Sequence, residues 1–137
     1  MVPDMYKKST CRIVVTDTNH HVRDFIRREL EKEGYTVTCV SNPIEAYNSI
    51  CDTTSLDIII LDPDLISPYG QSFLTQFLER TPSTHIIIHT FDKYIYIPKT
   101  DDKIHIVEKT ATSIDPLKEI IEECASSITN LRKKVSL

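Results

Sequence analysis

Short apolar runs alternate along the chain with stretches of helical periodicity. The first run, residues 12–16 (RIVVT), is rich in β-branched side chains and predicts a strand. The stretch after it repeats apolar residues at the spacing of an amphipathic helix: Val22, Phe25, Ile26 and Leu30. Gly34 predicts the end of this helix, because glycine is the preferred residue just past a helix C-terminus.

The same alternation continues to the end of the chain. Four more strands are predicted over residues 35–40, 57–61, 85–89 and 104–107. Helices are predicted from the SNP triplet at 41–43 through Cys51, from about Gln71 to Arg80, and after Ser113. A loop rich in turn residues, PDLISPYG, is expected at 63–70. Residues 91–103 depart from this rhythm: aromatic and β-branched side chains and Pro98 favour no helix longer than about two turns there.

Five strands that alternate with helices predict an open parallel sheet with helices on both faces, because right-handed crossovers place them there. Ligands of such sheets bind beyond the carboxyl ends of the strands. The residues at those ends are Asp17, Asp62, Thr90 and Lys109. Two carboxylates, a hydroxyl and an ammonium at one edge are typical of a site for a divalent cation and a phosphoryl group.

Composition and charge narrow the class of protein. The 137 residues suffice for one domain, and 16 basic against 20 acidic residues give a net charge of −4. With no long basic stripe, direct binding of nucleic acid is not expected. The apolar runs are too short for a membrane span and the N-terminus lacks a secretory signal, so we expect a cytoplasmic protein without membrane insertion.

Cysteine and histidine residues show no recognisable metal-binding spacing. The four cysteines, Cys11, Cys39, Cys51 and Cys124, form no C-x-x-C pair, and none has a histidine nearby in the sequence. This pattern disfavours a zinc site and predicts buried free thiols. The five histidines also lack recognisable catalytic partners, so we expect them to lie at the surface or to pack in strands.

Four motifs occur in a fixed order between residues 12 and 128: RIVVTD, DIIILD with Gly70 eight positions after Asp62, HIIIHT, and HIVEK. In this order and spacing, the chain resembles the receiver domain of two-component response regulators. The resemblance implies a flavodoxin-like (βα)5 three-layer sandwich with parallel strand order 2-1-3-4-5. Here the fourth helix region would be short or irregular. The receiver would span residues 11–131, between a flexible N-terminus (1–10) and a C-terminal tail (132–137).

The resemblance also implies a function and a set of site residues. Asp62 would accept a phosphoryl group from a phosphohistidine of a sensor histidine kinase or phosphotransfer protein. Mg²⁺ would be held by the carboxylates of Asp17 and Asp62 and the backbone carbonyl of Asp64, and Thr90 and Lys109 would bind the phosphoryl oxygens. Such a protein catalyses only its own phosphorylation and dephosphorylation, and it signals through contact with a downstream effector or a second copy of itself.

Five positions depart from the family pattern: Thr16, Pro63, Phe91, Ile106 and Thr110. Thr16 replaces an acidic residue and should weaken Mg²⁺ binding, whereas Pro63 removes a backbone N–H donor. Phe91 stands where a small residue is usual, so its ring could cover the site. Ile106 replaces the usual aromatic switch residue and Thr110 replaces proline, and both changes predict an altered output face.

Several alternatives remain open from the sequence. Asp17 could cap the first helix, Asp62 could be only a strand-end cap, and the Asp64 side chain could simply face solvent. The altered positions also suit a pseudo-receiver, a binding module that acts without phosphorylation. The string LDPD at 61–64 resembles the D-x-D motif of haloacid-dehalogenase-type phosphatases, although that motif follows the first strand and those enzymes need a longer chain.

Overall fold

The computed structural model describes residues 8–42, 44–45, 47–48, 56–66, 75–76, 79, 84–97 and 102–135. Five strands form one sheet: β1 Arg12–Thr16, β2 Thr36–Val40, β3 Ile58–Leu61, β4 His85–Thr90 and β5 Ile104–Glu108. The strand order is β2-β1-β3-β4-β5 and every neighbouring pair is parallel. The predicted flavodoxin-like arrangement is confirmed.

Three α-helices have bounds that the structure defines: α1 His20–Lys32, α2 Pro63–Ile66 and α3 Ile114–Val135. Residues 44–45, 47–48, 75–76 and 79 are helical, in agreement with the two other predicted helices. The remaining parts of those two predictions, together with Gly70 and Cys51, lie outside the described residues. None of the helices in the described part of the chain is long and apolar enough to cross a membrane.

The first helix begins and ends as its sequence predicts. Asn19 is the N-cap, and its side chain accepts a hydrogen bond from the His21 backbone N–H. Gly34 follows the last turn with a φ of +98°, a conformation that glycine adopts without a steric penalty. Because Asn19 takes the capping role, the Asp17 carboxylate is not the helix cap.

Three expectations about element bounds are corrected. The predicted loop after Asp62 begins with the helix α2, because Pro63 suits a first helical position and Asp62 caps it. The last helix continues through Val135, so residues 132–135 are helical and not part of a tail; its final turns are rich in lysine and arginine, which favour a helix C-terminus. Lys8–Thr10 forms a 3-10 helix within the expected flexible N-terminus, whose residues 1–7 lie outside the description.

The core forms two layers, one on each face of the sheet. One layer contains Val14, Ile59, Leu61, Ile86 and Ile88 together with Ile66 and Ile97. The other contains Ile13, Val15, Ile58, Ile60 and Ile87, packed against Leu30 of α1 and Leu117 and Ile121 of α3. All four residues of β3 are fully buried, as predicted for a central strand covered on both faces.

The segment after β4 contains no regular helix over its described residues. Residues 91–97 form a turn and irregular backbone, and 102–103 form the turn before β5. This agrees with the prediction for 91–103, of which residues 98–101 lie outside the description. Ile97 is buried in the first core layer, whereas Tyr94 and Tyr96 are exposed.

Candidate functional site

Four polar residues converge at the carboxyl end of the sheet. Asp17 follows β1, Asp62 follows β3, Thr90 ends β4 and Lys109 follows β5. The Lys109 Nζ atom lies 2.8 Å from Asp17 Oδ2 and 3.1 Å from Asp62 Oδ2. Both carboxylates are 1% exposed, so the ammonium bridges two buried anions. The sequence predicted these four residues at one edge, and the structure brings the three charged ones into direct contact.

The electrostatics of this cluster leave one negative charge without a partner. Burial favours the neutral form of Lys109, but its close contacts with the Asp17 and Asp62 carboxylates prevail and raise its pKa above the usual value. Asp17 Oδ2 meets the ammonium without a well-aligned hydrogen bond, and no other described atom donates one to it. An under-coordinated oxygen in a net anionic, buried cluster is suited to bind a cation.

The Asp62 carboxylate is held by backbone N–H groups. Its Oδ1 accepts a hydrogen bond from the Asp64 N–H at 3.0 Å, and its Oδ2 accepts one from the Thr18 N–H at 3.4 Å. By accepting the hydrogen bond from Asp64, the Asp62 side chain caps α2. The same side chain is also part of the polar cluster. Pro63, which is buried, contributes no N–H between them.

The Asp17 carboxylate is fixed by the start of α1. Its Oδ1 accepts a hydrogen bond from the Asn19 N–H at 2.9 Å. The Arg23 guanidinium donates to the Asp17 backbone carbonyl at 2.6 Å. These contacts leave Oδ2 directed to Lys109, so the first helix orients the carboxylate for the site.

Thr16 serves the backbone around the site. Its buried hydroxyl donates to the Ile60 carbonyl and accepts from the Asp62 N–H, both at 3.0 Å. The hydroxyl therefore links β1 to the end of β3 and positions the residue that carries the second carboxylate. Because both of these bonds are made to backbone groups, Thr16 does not replace the charge that an acidic residue would bring.

Thr90 and Phe91 border the cluster on the β4 side. The Thr90 hydroxyl accepts a hydrogen bond from the Asp92 N–H at 3.1 Å, and its own hydrogen is not used by that bond. The Phe91 side chain is 73% exposed, and its ring centroid lies 5.0 Å from Lys109 Nζ. The ring therefore lies against the ammonium in a cation–π contact, on the solvent side of the cluster.

The other predicted site positions lie outside the cluster. The Asp64 side chain is exposed, as the solvent-facing alternative predicted, and only its backbone is near Asp62. Ile106 is 42% exposed on the edge strand β5. Thr110 is exposed, and its hydroxyl accepts a hydrogen bond from the Thr112 N–H in the turn before α3. With Asp64 exposed and Asp62 following the third strand, the arrangement does not fit the D-x-D phosphatase motif.

Sequence reasoning missed His89 as a neighbour of the site. His89 is 3% exposed, and its Nε2 lies 2.9 Å from the hydroxyl of Ser113, which in turn donates to the Thr110 carbonyl. Burial, together with repulsion from the Lys109 charge, lowers the pKa of His89 to about 4, so the imidazole is neutral near pH 7. The sequence did contain a signal: His89 lies two residues after Ile87 in a strand, so both side chains project from the same face, which α3 covers.

A mainly apolar pocket of about 400 Å³ adjoins the cluster on this face. It is bounded by the start of α1, by the end of β4 and by the start of α3. Its lining includes His21, Phe25, His89, Phe91, Lys109 and Ile114. Lys109 lines both this pocket and the polar cluster, so the two adjoin at its side chain.

Solved structures share this fold. TrrA from Thermotoga maritima in complex with Mg²⁺–BeF is 23% identical, with a TM-score of 0.69 over 83% of this chain and 98% of that one. The same protein in complex with the histidine kinase ThkA gives 24% identity and a TM-score of 0.65 over 83% and 97%. A receiver domain protein from Bacillus halodurans is 15% identical, with a TM-score of 0.67 over 83% and 96%.

Comparison with protein-family models shows which family the chain belongs to, beyond the fold that it shares with these structures. The comparison with curated proteins gave no match. The family model described as the response regulator receiver domain matches residues 13–111, which is more than half of the chain and includes all four residues at the strand ends. The chain therefore belongs to the response regulator receiver domain family.

Proposed function

We propose that this receiver domain accepts a phosphoryl group on Asp62 from a phosphohistidine of a sensor histidine kinase or phosphotransfer protein, with Mg²⁺ as cofactor. The observation that supports this most directly is the ammonium of Lys109 between two buried carboxylates, 2.8 and 3.1 Å away. That arrangement combines a nucleophile, a second anionic ligand and a cation at one point. Kinase recognition is supported by TrrA, which was solved with a histidine kinase.

The residues present fit a magnesium ion. Asp17, Asp62 and the backbone carbonyl of Asp64 would supply hard oxygen ligands, and Asp17 Oδ2 lacks a well-aligned hydrogen bond. When bound, Mg²⁺ supplies positive charge against the oxygens of the incoming phosphoryl group. TrrA was solved with Mg²⁺–BeF, which agrees with this assignment.

The residues of this chain have defined tasks in the transfer. A carboxylate oxygen of Asp62 forms a bond to phosphorus while the bond from phosphorus to the donor imidazole breaks, and the imidazole leaves. Lys109 stabilises the added negative charge, and the unused hydrogen of the Thr90 hydroxyl can be donated to a phosphoryl oxygen. The backbone bond from Asp64 holds the carboxylate in place for the attack.

The electrostatic balance of the site supports the proposed need for a divalent cation. Before reaction the two carboxylates and the ammonium sum to one negative charge. An acyl phosphate on Asp62 carries a charge of about −2 in place of one carboxylate, so the cluster becomes more anionic. Two added positive charges bring the phosphorylated site to neutrality, which is the condition that burial favours.

Intact mass spectrometry tests the proposal. The protein is incubated with a small phosphodonor and Mg²⁺, and one phosphoryl group should be gained. Asp62→Asn should gain none, whereas the matched variant Asp64→Asn, which changes an exposed carboxylate two residues away, should behave like the wild type. Omission of Mg²⁺ should abolish the gain. Phosphoryl mass in Asp62→Asn would contradict the assignment.

A second candidate function is the pseudo-receiver. It is favoured by threonine at position 16, whose hydroxyl bonds only backbone groups and supplies no carboxylate to the proposed metal site. The expected result for a pseudo-receiver is no mass gain at saturating Mg²⁺ and partner binding that Asp62→Asn leaves unchanged. Multiple turnover of a phosphate monoester would contradict both candidates, because a receiver is a signalling module that acts only on its own acyl phosphate. Signalling in either case proceeds through contact with an effector or a second copy.

A further inference from the structure

A second cluster of potential ligands lies near the amino ends of β4 and β5, away from the carboxyl ends that carry the polar cluster. His85 is the first residue of β4, His105 is the second residue of β5, and Cys124 lies in α3. One nitrogen or sulfur atom of each lies within 4.8 Å of those of the other two. The Cys124 Sγ is 3.8 Å from His105 Nε2, and the two imidazole rings are stacked with centroids 6.1 Å apart.

The backbone of three elements fixes this arrangement. In the β4–β5 ladder His105 pairs with Ile87, so His85, two residues earlier on β4, projects from the same face as Ile87. Ile87 belongs to the core layer that α3 covers, and Cys124 is one of the α3 residues buried in that layer. The three side chains are therefore brought together by strand register and helix packing, and not by a flexible loop.

The donor atoms have unused ligand capacity. His85 Nδ1 is buried and has no hydrogen-bond partner among the described residues. Cys124 is 3% exposed, and its thiol contacts a histidine nitrogen. A buried nitrogen without a partner is unusual in a folded protein, so His85 has a ring nitrogen available for a ligand.

We propose that His85, His105 and Cys124 bind one Zn²⁺ ion, with water in the fourth position. Two imidazole nitrogens and a thiolate are the donors that zinc prefers, whereas Mg²⁺ takes oxygen ligands. Tetrahedral bonds of about 2.0 Å to nitrogen and 2.3 Å to sulfur separate two nitrogen ligands by roughly 3.3 Å and a nitrogen from a sulfur by roughly 3.6 Å. The contact of 3.8 Å between Cys124 Sγ and His105 Nε2 is close to this N–S separation, and the remaining ligand atoms, at most 4.8 Å apart, would approach one another by up to about 1.5 Å through side-chain rotation.

The binding step is balanced by one proton. The Cys124 S–H bond breaks, a bond from sulfur to zinc forms, and the proton passes to solvent. The two histidines bind through neutral nitrogens and release no proton when they are already unprotonated. No oxidant or reductant is required, because zinc does not change its oxidation state.

This site is separate from the phosphoryl site. His85 and Thr90 occupy the two ends of β4, about 16 Å apart at the rise of a strand. Zinc would join α3 to β4 and β5 near the amino ends of these strands, whereas Asp62 follows the carboxyl end of β3. The separation lets the two sites be tested independently, so failure of one proposal leaves the other intact.

Cobalt substitution tests the zinc proposal. The full chain is freed of metal with a chelator and titrated with Co²⁺, whose thiolate complexes absorb by charge transfer in the near ultraviolet. We expect this band to saturate at one ion per chain and to disappear on addition of Zn²⁺. Cys124→Ser should abolish the band, whereas Cys39→Ser, a half-buried thiol on β2, should retain it. Asp62→Asn should also retain it.

A second variant guards against misfolding. His105→Gln changes a half-buried residue on the edge strand, and with Cys124→Ser it is compared by circular dichroism and by the melting temperature without metal. In the wild type and Cys39→Ser, Zn²⁺ should raise the melting temperature, and in both ligand variants this increase should be lost. Absence of the band in the wild type, or its persistence in Cys124→Ser, overturns the proposal.

Discussion

The hydroxyl of Thr16 accepts a hydrogen bond from the backbone N–H of Asp62 at 3.0 Å and donates one to the carbonyl of Ile60 at the same distance. The paired residues of β1 and β3 end at Val15 and Ile60, so this hydroxyl continues the connection one residue beyond the ladder. Thr16 supplies no carboxylate to bind a metal ion, but its hydroxyl holds the backbone of Asp62, the proposed phosphoacceptor, in place.

Thr16→Val should destabilise the fold. The variant keeps the shape of the side chain but leaves the Asp62 N–H and the Ile60 carbonyl without their buried partner, which costs about 1 to 3 kcal/mol. The measurement is the free energy of unfolding in denaturant. Thr16→Ser keeps the hydroxyl and serves as the control; equal stability of the Val and Ser variants would contradict the role of these bonds.

Thr16→Asp should tighten Mg²⁺ binding and reduce stability without the ion. The added carboxylate contributes an oxygen near the proposed metal site, but it cannot donate to the Ile60 carbonyl and it adds a buried negative charge. Mg²⁺ affinity by calorimetry and the melting temperature with and without Mg²⁺ check both effects. Weaker binding than in the wild type would show that residue 16 lies too far from the ion.

Phe91→Ala should speed both phosphorylation by small donors and dephosphorylation. The ring lies against Lys109 on the solvent side of the cluster, so its removal opens the approach to Asp62 for donor and for water. Mg²⁺ affinity should change little, because no ligand is altered. Rates of acyl-phosphate formation and decay at saturating Mg²⁺ are measured. Tyr94→Ala, an exposed aromatic residue nearby, is the matched control and should leave both rates unchanged.

Lys109→Met should destabilise the domain in a way that Mg²⁺ reverses. Removing the ammonium leaves two buried carboxylates without their cation, at a cost of about 3 to 5 kcal/mol. Because folding raises the pKa of Lys109, its stabilisation is complete below the unfolded value of about 10.4 and is lost as pH rises through the folded value. Melting temperatures with and without Mg²⁺ test this. A variant as stable as the wild type without Mg²⁺ would show that the bridge is not structural.

His89 should make stability fall in mild acid. Its pKa is about 4 in the folded protein, so below the unfolded value of about 6.5 the unfolded chain binds a proton that the folded one excludes. The loss grows as pH falls from about 6.5 to 4 and approaches about 3 kcal/mol. His89→Gln should flatten the stability curve over this range, whereas the exposed His20→Gln should not. Parallel curves for wild type and His89→Gln would refute the assignment.

The alternation of predicted strands and helices in the sequence was sufficient to predict the sheet and the polar residues at the carboxyl ends of its strands. Ile58–Leu61 could be recognised as a central strand because all its residues are apolar, and Asp17, Asp62, Thr90 and Lys109 could be grouped because parallel strands share one edge. Neither prediction requires knowing which residue of one strand pairs with which residue of the next. The family resemblance added the strand order and the role of each side chain.

Features that depend on register or on side-chain direction could not be predicted. The bonds of Thr16 require that β1 and β3 pair with Val15 beside Ile60. The cluster of His85, His105 and Cys124 depends on strand register and on which face of α3 meets the sheet, and its successive members lie 20 and 19 positions apart in the sequence. Spacing rules detect only metal sites whose ligands are close along the chain, so this cluster was missed.

The backbone N–H of Lys109 donates to the carbonyl of Thr90 at 2.7 Å. The two residues whose hydroxyl and ammonium are proposed to bind the phosphoryl group are therefore backbone neighbours at the end of a strand pair, although 18 residues lie between them in the chain. The backbone distance between Thr90 and Lys109 is set by the pairing of β4 with β5, and not by the segment that connects the two strands. Changes of length or sequence beyond Asp92, whose N–H contacts the Thr90 hydroxyl, can thus accumulate during evolution or be introduced by engineering while the backbone contact between Thr90 and Lys109 is preserved.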